Sequence, residues 1–300
     1  MNNDDGLDIR LKTLLPPEYQ ETYERMEPRP MRSAGLQYDA DGRVAWDRIW
    51  GSFCDLAMAG GPPHKGQLLQ PGVRADIDAA FDRYDEVAEE ICRGIRMVTG
   101  LRAYVAPDPG WVCVTCQGDA MAGWLLRAIT MENVAVRRRG AILELPAAPQ
   151  FRLEKEIKNV ITVIAKTCHY WLGHIPDEQK CAIGELFNTM EAASPLIEPD
   201  PAAAGARRSR ELAQRLAADI QRTVGLAESP QRSPGWLGVE CASVRLAIWM
   251  MRALVASNVL ARREGTVLFV PVNPGTDPHG TRVAAAVAQA HRHALARDVR

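Results

Sequence analysis

Apolar residues recur at helical spacing in two stretches that lie 125 residues apart. Met121, Trp124, Leu125, Ala128 and Ile129 fall at i, i+3, i+4, i+7 and i+8, and so do Leu246, Trp249, Met250, Ala253 and Leu254. Each set makes one apolar face on a helix. A β-rich run precedes each helix, at 111–116 after Pro109-Gly110 and again after Pro234-Gly235. The Pro-Gly pairs read as turns and the runs as strands. After each helix comes a basic turn, Arg137-Arg138-Arg139-Gly140 or Arg262-Arg263-Glu264-Gly265, then a short strand that stops at Pro146 or Pro271.

The match is one of sequence as well as pattern. Residues 110–149 and 235–274 align without a gap, and 16 of 40 positions are identical. Unrelated segments would agree at roughly one position in sixteen. Upstream, Gly100-Leu101 matches Gly225-Leu226 at the same offset. Before each pair the spacing predicts a helix, with Tyr84, Val87, Ala88, Ile91, Cys92 and Ile95 on one face in the first copy and Leu212, Leu216 and Ile220 in the second. Candidate strands precede those helices at 67–71 and 196–199.

The order β(66–71), α(74–99), β(101–106), β(111–116), α(118–135), β(140–146) is a βαββαβ, ferredoxin-like arrangement. Residues 194–271 repeat it with a weaker second strand, and a helix follows each unit at about 153–172 and 279–297. The expected fold class is therefore α/β (α+β), with duplicated ferredoxin-like units, or a ββαβα-type repeat. A fainter echo at an offset of 74 sets Trp50 on Trp124 and Gly66 on Gly140. The expected divisions are an N-terminal arm at 1–30, a first half at 31–176 and a second half at 177–300, with a Pro- and Ala-rich linker near 191–210.

Composition adds only bounds. The chain has 300 residues, is 47% apolar and carries a formal net charge of -1, so nothing global favours nucleic acid or an acidic membrane. The polar, acidic start has no apolar signal core. The most apolar window, 242–261, contains Arg245 and Arg252 and reads as a buried helix rather than a span. An odd count of seven cysteines fits reduced thiols in the cytoplasm.

No P-loop, GxGxxG, HExxH or GxSxG signature occurs. The strand at 111–116 lacks the alternating aromatics that stack RNA bases. Gly60-Gly61-Pro62-Pro63-His64-Lys65 reads as a rigid turn that presents an imidazole and an ammonium to an anion or a carbonyl oxygen. His64 and Lys65 are thus the candidate catalytic residues, with His64 as general acid or base. Arg138, Arg263 and His279 are the candidate anion-holding residues. The bland reading of the basic turns, arginines at helix C-termini, is preferred. Cys113 and Cys116 form a CxxC, but Gly238 stands opposite Cys113 in the second copy, and because successive strand positions face opposite ways, 113 and 116 point apart. A metal set of Cys113, Cys168, His169, His174 and Cys181 has no standard spacing. His291 and His293 are expected on a solvated helix face, and residues Asn133 and Asn258 in left-handed helix ends. The expectation is a small anionic metabolite bound between two halves. The rivals are an accessory protein that uses the repeat surface, with a homo-oligomer as one form of it, and a Cys/His metal protein; no cofactor can be named.

Overall fold

The computed structural model describes residues 3–21, 35–49 and 66–299. His64, Lys65, Cys54 and most of the Trp50 echo lie outside the described residues. In chain order the elements are α1 (Asn3–Leu14), α2 (Pro17–Gln20), α3 (Trp46–Ile49), α4 (Arg74–Ala79), α5 (Phe81–Thr99), β1 (Arg102–Val105), β2 (Trp111–Thr115), α6 (Asp119–Met131), β3 (Arg137–Arg139), β4 (Ile142–Pro146), α7 (Lys158–His169), α8 (Asp177–Ala193), α9 (Arg207–Val224), β5 (Trp236–Glu240), α10 (Val244–Val255), β6 (Arg262–Glu264), β7 (Val267–Pro271) and α11 (Thr281–Ala296). Single π-helical turns, Leu153–Ile157 and Tyr170–His174, flank α7. The fold is mixed α/β with two small antiparallel sheets. The chain divides into two compact units, Arg29–Cys181 and Met1–Pro28 with Ala182–Arg300, called here the first and second unit.

In the first unit the sheet order is β1-β2-β4-β3. Val112 and Val114 pair with Leu145 and Leu143, and all four are buried. The alternate residues Trp111 and Cys113 gather on the other face with Ala106, Tyr104, Ala135 and Ile142. Helix α5 packs on β1 and on α7. Gly94 permits that approach, because a Cβ there would stand 2.3 Å from Ile161 Cδ1. Lys166 of α7 donates to Glu132 at the end of α6 over 3.0 Å, an ion pair shut away from water.

The second unit repeats the pairing 125 residues on. Trp236 faces Pro271 as Trp111 faces Pro146, and the sheet order is β5-β7-β6. The counterpart of β1 is reduced to a single bridge, Glu228 to Val239. Asn133 and Asn258 are left-handed, with φ of 59° and 61°, as their survival in both copies predicts. Each carbonyl then accepts a strand-like bond, from Leu69 N–H and from Ile197 N–H.

Several expectations change. The ferredoxin-like order needs 66–71 as an inner strand. Instead β4 already has β2 and β3 as neighbours, so no edge is left for it, and Leu69 makes one parallel bridge to Val134. The basic turns are short strands, β3 and β6, folded onto β4 and β7 through left-handed Gly140 and Gly265. The supposed arm holds a helix: Leu7, Leu11, Leu14 and Leu15 of the α1 region are buried, α1 packs on α10, and Arg10 Nε donates to Ala256 O at 2.8 Å. Its four leucines are spread among charged residues, which dilutes the pattern. His293 is 1% exposed, not solvated; it stacks on Trp249 at 5.9 Å. Among the described residues no helix is long and apolar enough to cross a membrane.

Truncating Leu11 to Ala should lower unfolding stability by about 2–4 kcal/mol, the usual loss for a buried leucine. Urea unfolding measures it; a change under about 0.5 kcal/mol would show that α1 is only an appendage.

Candidate functional site

One exchanged side chain changes what stands at the end of the sheet in the two units. Counting back from the left-handed caps Gly100 and Gly225, the buried faces of α5 and α9 correspond residue by residue: Val87 to Leu212, Ile91 to Leu216, Cys92 to Ala217, Ile95 to Ile220. At the start of that face Tyr84 corresponds to Ser209.

In the first unit the Tyr84 side chain is buried against the start of β2. Its Oη accepts from Gly110 N–H at 2.9 Å and donates to Trp111 O at 3.4 Å. Burial pushes its ionisation up, against the pull of those two backbone bonds. In the second unit the corresponding glycine, Gly235, has the same closing bond, while Trp236 N–H donates to Ser233 O at 3.0 Å where Trp111 O accepts from Ala106 N–H at 3.1 Å. Val272 N–H donates to Gly235 O at 2.8 Å, as Ala147 N–H does to Gly110 O. Gly235 has φ of 77°, and a Cβ there would meet Asp200 and Pro201 backbone atoms at 2.8–2.9 Å, so only glycine fits.

Where the phenol stands in the first unit, the second has an open cleft of about 600 Å³. Ser209, Gly235 and Trp236 line it, with Ala204 and Gly205 on one side and Arg210, Glu228, Arg232 and Ser233 at the rim. Ser209 is 4% exposed, and its Oγ has no hydrogen-bond partner; neither has the buried Oγ of Ser233. An unmet buried hydroxyl costs about 1–3 kcal/mol. At the rim Glu228 is paired with Arg232. Arg210 donates to the neutral carbonyl of Gly205, which does not offset its charge. Among the described residues the lining contains no histidine, lysine or cysteine.

Beneath the cleft the two units also exchange charge. In the first, Arg137 lies over the Trp111 ring at 4.0 Å and pairs with Glu144 and Asp108. In the second, Phe269 replaces Glu144, and Arg262 lies over it at 3.8 Å and over Trp236 at 5.2 Å. The carboxylate has moved to Glu264, opposite Arg139 in the alignment, and accepts from Arg262 at 2.5 Å. Position 108 becomes Ser233.

The residues singled out from sequence are placed as follows. Arg138 is half-buried in β3 and its Nη1 reaches Asp119 O at 3.4 Å. Arg263 is 3% exposed, with Nη1 on Gly265 O at 3.2 Å; enclosed in this way it does not present a fork to solvent. His279 is exposed in the turn before α11, where buried Asp277 accepts the N–H of Val283. Arg127 bonds Gly123 O on its own helix, and burial pushes Arg252 down to about 10, with Arg263 adding to it. Cys113 and Cys168 are buried, Cys181 is exposed, and His169 and His174 meet at 2.9 Å between Nε2 atoms. Among the described residues no three His, Cys, Asp or Glu side chains group as a metal would require. Ser209 was not singled out. The signal was present in the alignment, as a tyrosine exchanged for a serine at the start of a face whose positions 87, 91, 92 and 95 stay apolar at 212, 216, 217 and 220.

Burial pushes Cys116 and Cys241 up to about 12. At pH 8 such a thiol is ionised to about one part in ten thousand. Among the described cysteines, iodoacetamide at pH 8 should therefore label Cys181 in minutes and the buried ones only after unfolding; mass mapping reads this, and rapid labelling of Cys116 or Cys241 would contradict the packing. Tyr84→Ser should cost about 3–5 kcal/mol in urea unfolding, because it opens in the first unit the hole that the second already has. No family model matches this chain, and neither a curated protein nor a solved structure matches it.

Proposed function

We propose that the protein binds a small organic anion in the cleft of the second unit, and that the two units descend from one duplicated unit, filled in the first copy and open in the second. The observation that carries this reading is the buried, partnerless Ser209 hydroxyl in a cleft of ligand size, at the position where the other copy supplies a tyrosine. Natural ligand pockets run from about 300 to 1,000 Å³, with a few fixed polar groups among apolar walls. Arg210 gives the rim a positive charge.

Binding rather than turnover is the reading favoured for this cleft. Among the described lining residues the one acid, Glu228, is held by Arg232, and none is a histidine or lysine that could serve as a base. A catalytic His64 and Lys65, with Arg138, Arg263 and His279 as anion holders, is a separate proposal. Replacing His64 by Ala and finding binding and turnover unchanged would remove it. A cytoplasmic location, with free thiols, fits both.

Ser209→Tyr should close the cleft. The expected outcome is loss of any ligand carried through purification, read as the difference between native and denatured mass, with Tm raised by about 2–5 °C. A mass excess that survives in Ser209→Tyr would remove the cleft from consideration.

A further inference from the structure

We infer that the ligand of this cleft is a phenol-bearing carboxylic acid whose ring takes the place of the Tyr84 side chain and whose hydroxyl bonds Gly235 N–H and Trp236 O. The inference rests on the anion-binding reading and deepens it. The first unit records what this backbone receives: one phenol oxygen that accepts from a glycine N–H at 2.9 Å and donates to a tryptophan carbonyl at 3.4 Å. The second unit keeps the receiving backbone. Gly110 and Gly235 share a left-handed φ, and the ladder registers at Trp111 and Trp236 agree. What the second unit lacks is the donor of the ring, since Ser209 retains only a hydroxymethyl group.

A way in exists on the same side. Gly72 and Asp200 both donate to the residue after the strand-ending dipeptide, Ala147 and Val272. From there to Tyr84 or Ser209 the second unit is three residues shorter. The first unit spends that length on α4, which buries Ile77. The second has only the turn at 202–205, and Ala204 and Gly205 border the opening. Small side chains there leave room for a ligand to enter where a helix stands in the first unit.

The carboxylate follows from the rim. Arg210 adjoins Ser209 and bonds a neutral carbonyl. At the position of Asp108 stands neutral Ser233, so a negative charge that would repel an acid is gone. An aromatic ring also suits the wall formed by Trp236.

Titration calorimetry of the full chain with 4-hydroxyphenylacetate, phenylacetate and cyclohexylacetate tests the inference. The expected order is 4-hydroxyphenylacetate about tenfold tighter than phenylacetate, for the two backbone hydrogen bonds, and cyclohexylacetate weakest. Ser209→Tyr, and Ser209→Leu as a second filler if the first fails to fold, should both abolish binding. Equal affinity for all three acids would overturn the phenol assignment and leave the organic-anion reading standing. So would failure of all three while native mass spectrometry shows another bound acid. Failure of all three with no bound mass would overturn both, and 4-hydroxyphenylacetate binding that persists in both filled variants would overturn both for this cleft.

Discussion

Direct antiparallel pairing of the strand that follows a Pro-Gly turn with the strand that ends in proline governs each unit. Proline cannot donate to the ladder, so regular pairing stops at Trp111–Pro146 and Trp236–Pro271. One further bond, from Ala147 or Val272 to the turn glycine, closes the end. That bond fixes the glycine N–H and the tryptophan carbonyl at the rim of the sheet, facing the first turns of α5 or α9. A residue at that spot on the helix must either satisfy them or leave them to something else. Tyr84 does the first and Ser209 does not.

The arginine beneath tells the same story of exchange under constraint. A guanidinium over a tryptophan is kept in both units, while its carboxylate partner moves from β4 in the first to β6 in the second. Phe269 then fills the place of Glu144 and offers a second aromatic face. Charge balance is preserved although no carboxylate position is, as expected if an unpaired buried arginine costs several kcal/mol.

How much of this could be read from the chain depended on whether the pattern was local. Helices α5, α6, α9 and α10 follow from 3.6-residue spacing, and Asn133 and Asn258 follow from their survival beside the helix ends. Strand order did not follow, because hydrophobic alternation says which residues are strands and not which strands are neighbours. The segment 66–71 reads as a short strand bounded by Gly66 and Pro71, yet β4 has no free edge for it. Arg137 to Arg139 read as a turn because charge masked a three-residue strand, whose partners lie on β4. The cleft was hidden for another reason: it is made by what Ser209 lacks, and a single sequence shows residues rather than vacancies unless its two copies are compared position by position.

Helix α1 packs with residues that the ribosome delivers much later. Its leucines Leu7, Leu11 and Leu14 belong with α10, while the rest of their unit begins at Ala182. At the pace of synthesis the intervening residues take about ten to thirty seconds to emerge. Throughout that interval the α1 leucines have no native surface to cover them, while the first unit can already fold. The dispersal of those leucines among Asp, Arg and Lys keeps the waiting segment polar enough to stay in water until α10 arrives.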